Sequence, residues 1–378
     1  MKAMWALLLT VTVLAATAPN AAARQFKKPV YYKLNDVPYG IVTADFNHDG
    51  NLDLAVAEFY TGQVGILLGR GNGAFRSPRY FSVPGALALA VGDFNGDHKL
   101  DLAIVQYGGT GNSFVGIFLG DGEGNFHNSA TYQLGIESTS IAVADFNGDG
   151  HLDVAVTNEL GYGKDGKDGS VTVFFGKGDG TLGKPTIYKL PGQPYAVAAG
   201  DLNSDHHPDL VVAEDLGGAV DILMNTGAGK FKRTANYPAG SEADYIAIAD
   251  LDHNGTLDLA VSAAGDEGVT ILLGKGDGTF GNSTFYPTNG VGGGPFAVVV
   301  ADFNRDGSPD LALACLQNVA LLYGRGDGTF ESAVPVKLKD EVMSLGVGDF
   351  NKDGAPDLAA TIASFVNGPR AAVFINTQ

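Results

Sequence analysis

The nine-residue string DFNHDGNLD, from Asp45 to Asp53, recurs six more times along this chain. The copies are DFNGDHKLD (Asp93 to Asp101), DFNGDGHLD (Asp145 to Asp153), DLNSDHHPD (Asp201 to Asp209), DLDHNGTLD (Asp250 to Asp258), DFNRDGSPD (Asp302 to Asp310) and DFNKDGAPD (Asp349 to Asp357). Their first aspartates stand 48, 52, 56, 49, 52 and 47 residues apart, a period close to that of propeller blades and too long for a parallel β-helix. Units of this kind bury their apolar faces only against one another. The 378 residues therefore read as one body of repeats from about residue 26 onward, with no linker, rather than as two or three unrelated domains.

Each unit supplies four strands. Before the loop comes an apolar run of small residues, such as GIVTADF or VVVADF, and after it a second run, such as LAVAE or LALAC. A third follows (VGILLG, VTILLG), then a glycine turn such as GKGDG, then a fourth that opens on an aromatic or leucine and often ends on tyrosine, as in FRSPRY. Short β-branched segments without helical spacing are buried strands. The expectation is an all-β, seven-bladed β-propeller with four-stranded blades, its small first strands crowded round a narrow channel. The last unit stops after three strands at Gln378, whereas Phe26 to Tyr32 (FKKPVYY) repeats the pattern of Phe75 to Tyr80. That N-terminal strand is expected to pair with Ala371 to Asn376 and complete the last blade, closing the ring without an open edge.

The first 23 residues combine a lysine, an apolar stretch from Met4 to about Ala16 and a small-residue end at Ala21 to Ala23, the layout of a secretory signal peptide. Residues 1–23 are thus assigned as a leader and 24–378 as the propeller, with a secreted, periplasmic or extracellular location and no membrane insertion. The single cysteine, Cys315, lies in the apolar run LALACL and has no intramolecular partner, so it reads as a buried, inert thiol. A net charge of −18 makes nucleic acid and anionic membrane surfaces poor partners. Three aspartates per loop account for 21 of the 42 acidic residues, and seven divalent cations would add 14 positive charges and bring −18 to −4.

The loops carry oxygen ligands at a fixed spacing. Position 1 is Asp45, Asp93, Asp145, Asp201, Asp250, Asp302 and Asp349; position 3 is Asn47, Asn95, Asn147, Asn203, Asp252, Asn304 and Asn351. Position 5 is Asp49, Asp97, Asp149, Asp205, Asn254, Asp306 and Asp353; position 9 is Asp53, Asp101, Asp153, Asp209, Asp258, Asp310 and Asp357. Position 7 would offer a backbone carbonyl from Asn51, Lys99, His151, His207, Thr256, Ser308 and Ala355. Calcium takes about six to eight oxygens, one carboxylate often bidentate, and clustered carboxylates repel when no cation is present. The glutamate that an EF-hand places at position 12 is replaced by apolar residues such as Val56 and Ile104, so the position-9 aspartate is the bidentate candidate. Hard oxygens without cysteine or paired histidine favour calcium over zinc. Up to seven ions are expected. Repeats one, three, six and seven rank first, because His98 and His206 replace the position-6 glycine in two of the others and Asn254 replaces a carboxylate in repeat five, though Asp252 at position 3 restores the charge there.

The DxDxDGxxD-type loop between two strands, the GDGxF turns and the sevenfold count resemble the FG-GAP or VCBS repeats of the integrin α-subunit head and its bacterial secreted relatives. The resemblance covers about residues 26 to 378. It implies a calcium-binding propeller whose ligand-binding loops lie on the face opposite the calcium loops, which here is the face of the strand 2–3 and strand 4–1 connections.

That face gathers aromatic residues. Tyr39, Tyr195, Tyr245 and Phe296 stand at the start of first strands, and Phe59, Tyr60, Tyr107, Phe114 and Tyr162 occupy or flank strand 2–3 connections. Flat rings with polar tips suit sugar stacking or protein contact, so Tyr39, Tyr60, Tyr107, Tyr162, Tyr195, Tyr245 and Phe296 are the candidate ligand residues; plugging the channel is the plainer use of the first group. All seven histidines fall in or beside loops and turns, with no nucleophile paired to them. Glu58, Glu159 and Glu214 recur just after strand two, either as solvated strand ends or as a carboxylate pair acting on polysaccharide. Arg325, Gly326 and Asp327 form an RGD tripeptide that coincides with the strand 3–4 turn pattern. The sequence thus favours a non-catalytic module binding a protein or glycan ligand, with an extracellular polysaccharide hydrolase or lyase, or a purely structural surface protein, as alternatives.

Overall fold

A computed structural model describes residues 26–108, 111–159, 169–338, 340–364 and 366–378. It is an all-β molecule of seven four-stranded antiparallel sheets arranged as a β-propeller. The proposed leader and Tyr162 lie outside the described residues.

Blade one is typical. Its strands are Pro38–Ala44, Asp53–Glu58, Gln63–Leu67 and Arg79–Ser82, hydrogen-bonded in chain order. The second strand is buried at all six positions, as are the second strands of the other blades apart from the last residue of blade two's. A strand covered on both faces needs a continuous apolar run instead of alternation, which is what LAVAE and its equivalents provide. The first strands pack on one another round the axis, the seventh against the first. Their small residues are required there: a Cβ added to Gly40 would sit 2.8 Å from the Leu87 carbonyl oxygen, and one added to Gly346 2.8 Å from the Thr43 side chain.

Seven apolar clusters fill the seams between neighbouring blades. Loop position 2 organises them. Phe46, Phe94, Phe146, Leu202, Leu251, Phe303 and Phe350 are all buried to within 4% exposure, and each full burial of such a side chain stabilises by about 1.5–3 kcal/mol. Phe46 meets Phe126 of the next blade edge to face at 5.5 Å, Phe146 meets Phe231 at 5.4 Å, and Phe350 meets Phe75 at 5.3 Å. Strand-four tyrosines tie the same seams with hydrogen bonds. The Tyr132 hydroxyl accepts the Leu182 N–H at 2.7 Å and that of Tyr237 accepts the Phe280 N–H at 3.0 Å.

In blade seven the sheet order is Val30–Lys33, Arg370–Phe374, Asp357–Ala363 and Glu341–Gly348. Val30 lies opposite Val373 and Tyr32 opposite Ala371, while Phe26 forms an isolated bridge with Asn376. The fourth strands are shorter than the sequence suggests. Phe75, Leu182, Phe280 and Phe330 make single bridges, and the ladder resumes four residues later. Pro29, Pro78 and Pro185 account for three such breaks, since proline lacks a donor. In blades two and four the strands Phe126–Ile136 and Phe231–Pro238 run through, whereas blades five and six break without a proline at that position.

Candidate functional site

The aspartate loops and the strand 3–4 turns share one face of the disc. A Cβ on Gly71 would meet the Asn51 side chain at 2.2 Å, and one on Gly178 the His151 ring at 2.3 Å. Within each loop the position-1 carboxylate accepts backbone N–H groups from the turn. Asp45 takes those of Asp49 (3.1 Å) and Gly50 (2.8 Å), and Asp302 takes those of Asp306 (3.1 Å) and Gly307 (2.8 Å). Position 3 links to position 5, with the Asn47 amide donating to Asp49 Oδ2 at 3.1 Å. The backbone enters the left-handed region at position 6, where His98 (φ 65) and His206 (φ 69) hold it without glycine, as the sequence implied. It does so at position 4 as well, at His48, Ser204, His253, Arg305 and Lys352, a second constraint that the sequence reading missed.

The position-9 aspartates have a structural task besides any ligation. All seven are fully buried. Asp53 accepts the N–H of Phe46 at 3.0 Å with one oxygen and that of Gly69 at 2.7 Å with the other. Asp357 does the same with Phe350 (2.9 Å) and Asn376 (2.7 Å). Burial pushes the carboxyls of Asp53, Asp153, Asp209, Asp310 and Asp357 up to about 6, against the opposing effect of those N–H bonds. A cation beside them would favour the charged form. Asp250, Asp252 and Asp258 bring carboxylate oxygens within 4.8 Å of one another, the group of three acids that does so among the described residues. This is repeat five, not one of those ranked first from sequence, because Asp252 puts a carboxylate where the other loops have an amide.

The opposite face opens into a cavity of about 210 Å³ at the mouth of the central channel, lined by residues from all seven blades. Six residues before each loop stand Tyr39, Leu87, Thr139, Tyr195, Asp244, Phe296 and Met343, and all seven line it together with Tyr245. Four of the aromatic candidates, Tyr39, Tyr195, Tyr245 and Phe296, are thereby brought together. Tyr60 and Tyr107 are not in the wall; they extend it outward, through Tyr39 to Phe59 at 5.3 Å and Phe59 to Tyr60 and Tyr107 at 5.1 and 5.9 Å. No basic side chain lines the cavity among the described residues. Burial raises the Tyr195 phenol to about 12, aided by the charges of Asp244, Glu159 and Asp215, and burial together with Asp215 and Glu242 raises the Asp244 carboxyl to about 7. Asp244 escaped the sequence reading because Tyr245 beside it drew the aromatic pattern; a bulge between Ala243 and Tyr245 turns both toward the channel. Round the mouth, strand 2–3 connections expose Tyr60 (71%), Leu216 (76%), Leu316 (42%) and Val366 (91%).

The glutamates correct one expectation. Glu58 and Glu214 are not solvated strand ends: they are 0% and 6% exposed. Glu58 Oε2 accepts the N–H groups of Asn35 (2.9 Å) and Asp36 (2.8 Å) and so braces a strand 4–1 connection. Burial raises the Glu214 carboxyl to about 7, aided by Asp221, whose Oδ1 accepts Arg233 Nη2 at 2.6 Å. Glu159 is half-buried, its carboxyl raised by burial and by Glu137 and Asp215. In the RGD tripeptide, Arg325 Nη1 donates to the Phe330 carbonyl at 2.8 Å and Asp327 accepts from Thr329, both bonds of the turn itself. Cys315 is buried, and burial raises its thiol to about 12.

Comparison with known proteins agrees with this architecture. The FG-GAP-like repeat matches at residues 45–104, 93–156, 161–212, 201–261, 250–313 and 302–360, and the chain belongs to that family. No functionally curated protein matches the sequence. Among solved structures, BBS1N in complex with ARL6DN is similar in two crystals, soaked with lead (TM-score 0.63) and with mercury (0.64). Identity is 13% in each, covering 93% of this chain and 97% of that one. An Agrocybe aegerita lectin described as recognising non-reducing terminal N-acetylglucosamine is similar at TM-score 0.52 and 18% identity, over 83% of this chain and 81% of the lectin. At such identities the likeness is one of fold. Among the described residues no helix is long and apolar enough to cross a membrane.

Proposed function

We propose that this chain is an exported, calcium-stabilised propeller that binds a protein or glycan ligand on the face opposite its aspartate loops and does not itself catalyse a reaction. The observation that carries the reading is the aromatic mouth of the channel, with Tyr60, Leu216, Leu316 and Val366 exposed on strand 2–3 connections of the same face. Large apolar tips grouped round a concavity mark interaction sites. Propellers of related shape appear in a complex between two proteins and in a lectin. The loops would hold calcium through side chains at positions 1, 3, 5 and 9 and the position-7 carbonyl, and the ion would offset repulsion among three carboxylates per loop.

Exposed apolar tips on four of the seven blades of that face favour a protein ligand over a glycan. The test is capture of ligands from solubilised extracellular and surface fractions, beside a glycan array, in millimolar calcium. The reading expects a ligand retained by the wild-type chain and lost by Tyr60→Ser combined with Leu216→Ser. Turnover of a polysaccharide, abolished by a single carboxylate substitution at Glu159 or Glu214, would replace it with the enzyme reading.

A further inference from the structure

We propose that the mouth of the channel takes an ammonium group, and specifically the lysine side chain of a protein ligand. The inference rests on reading this face as the binding face and adds what the cavity selects. Its wall presents Tyr39, Tyr195, Tyr245 and Phe296 beside the carboxylate of Asp244, with no lysine, arginine or histidine among the described lining residues. Aromatic faces and a carboxylate in one concavity attract a cation, since the ring quadrupole and the charge act in the same sense and low-dielectric walls focus the field. Glu159, Asp215 and Glu242 add to that potential; their charges already disfavour a negative phenolate at Tyr195 or a negative charge at Asp244.

Shape and hydrogen bonding narrow the cation. A cavity of about 210 Å³ admits a slender butylammonium stem, whose methylenes would lie along Leu87, Met343 and Phe296. A neutral sugar would cover Asp244 without neutralising it, and an unpaired buried charge is costly. A guanidinium would bring five donors to a wall with one carboxylate, whereas an ammonium brings three that Asp244 and the hydroxyls of the wall can share.

The probe is the peptide acetyl-Gly-Lys-Gly-amide, titrated calorimetrically into the full chain without its leader at pH 8 in millimolar calcium. Controls are the same peptide with norleucine for lysine, and glucosamine. The lysine peptide is expected to bind about tenfold more tightly than the norleucine peptide, and Asp244→Asn to remove that preference while the unfolding midpoint stays put. Tyr195→Leu keeps the apolar wall and is expected to weaken lysine binding several-fold, which makes a second reading should Asp244→Asn fold poorly. Equal binding of the two peptides, no binding of the lysine peptide, or a preference that survives Asp244→Asn overturns the inference, and glucosamine binding without the lysine peptide transfers the site to amino sugars and overturns it as stated. If Tyr60→Ser with Leu216→Ser abolishes capture of a protein ligand while the lysine preference is absent, the binding face stands and the ammonium pocket alone falls.

Discussion

The phenolic oxygen of Tyr32 accepts the backbone N–H of Phe75 at 2.8 Å, joining the last blade to the first across 43 residues of sequence. The two rings meet edge to face at 5.7 Å. The same bond recurs from Tyr188 to Phe231 at 3.3 Å, so the N-terminal strand occupies its seam as an ordinary fourth strand does. Tyr32→Phe should remove one hydrogen bond and cost about 1 kcal/mol in urea unfolding, and Tyr32→Ala about 3 kcal/mol or more by also emptying the ring site. Indifference of both variants would mean that the N-terminal strand contributes nothing to holding the seam.

Position 9 and position 5 of the loops should separate fold from metal. In chelator, Asp53→Asn places an amide N–H against the Phe46 or Gly69 donor and should cost about 1–3 kcal/mol. Asp49 is exposed, so Asp49→Asn should cost little in chelator while reducing the stabilisation gained from calcium, which is expected at about 10⁻⁴–10⁻³ M. Thermal unfolding with and without calcium reads both. Equal costs in chelator, or no calcium effect on the wild type, would contradict this division.

Glu214 should give the protein a pH dependence of definite sign. Its folded carboxyl is raised to about 7 from an ordinary 4.5, by burial and then by Asp221. A raised carboxyl contributes stability that is fully present below the unfolded value and is lost as pH rises through the folded one. Between about pH 4.5 and 7 the wild type should therefore lose stability relative to Glu214→Gln, measured at saturating calcium so that the loops do not titrate. Parallel curves for the two proteins would show that Glu214 ionises normally.

The blade count, the strand order and the borrowed strand were legible because DFNHDGNLD and FKKPVYY repeat in phase with the chain. The apolar seams were legible only in part: the reading took the strands as the core and passed over loop position 2, although Phe46, Phe146 and Phe303 there are among the largest fully buried side chains. Aromatic bias hid Asp244 behind Tyr245. Asp221 interrupts the apolar third strand VDILMN, a visible signal, but its pairing with Arg233 and Glu214 depends on register across two neighbouring strands. The buried role of Asp53 could not be separated from ligation by spacing alone, since the same carboxylate at the same position suits either.

The central claim is that recognition belongs to the face of the channel mouth and not to the aspartate loops. Tyr245 lies in that mouth and is 39% exposed, so its removal should leave the core intact. The most direct measurement is ligand capture by Tyr245→Ala beside Asp149→Ala, each at a temperature where both are folded and in millimolar calcium. The account predicts about tenfold weaker capture by Tyr245→Ala with an unfolding free energy within about 0.5 kcal/mol of wild type, and near-normal capture by folded Asp149→Ala. Normal capture by Tyr245→Ala together with loss in folded Asp149→Ala would place recognition at the loops and contradict it.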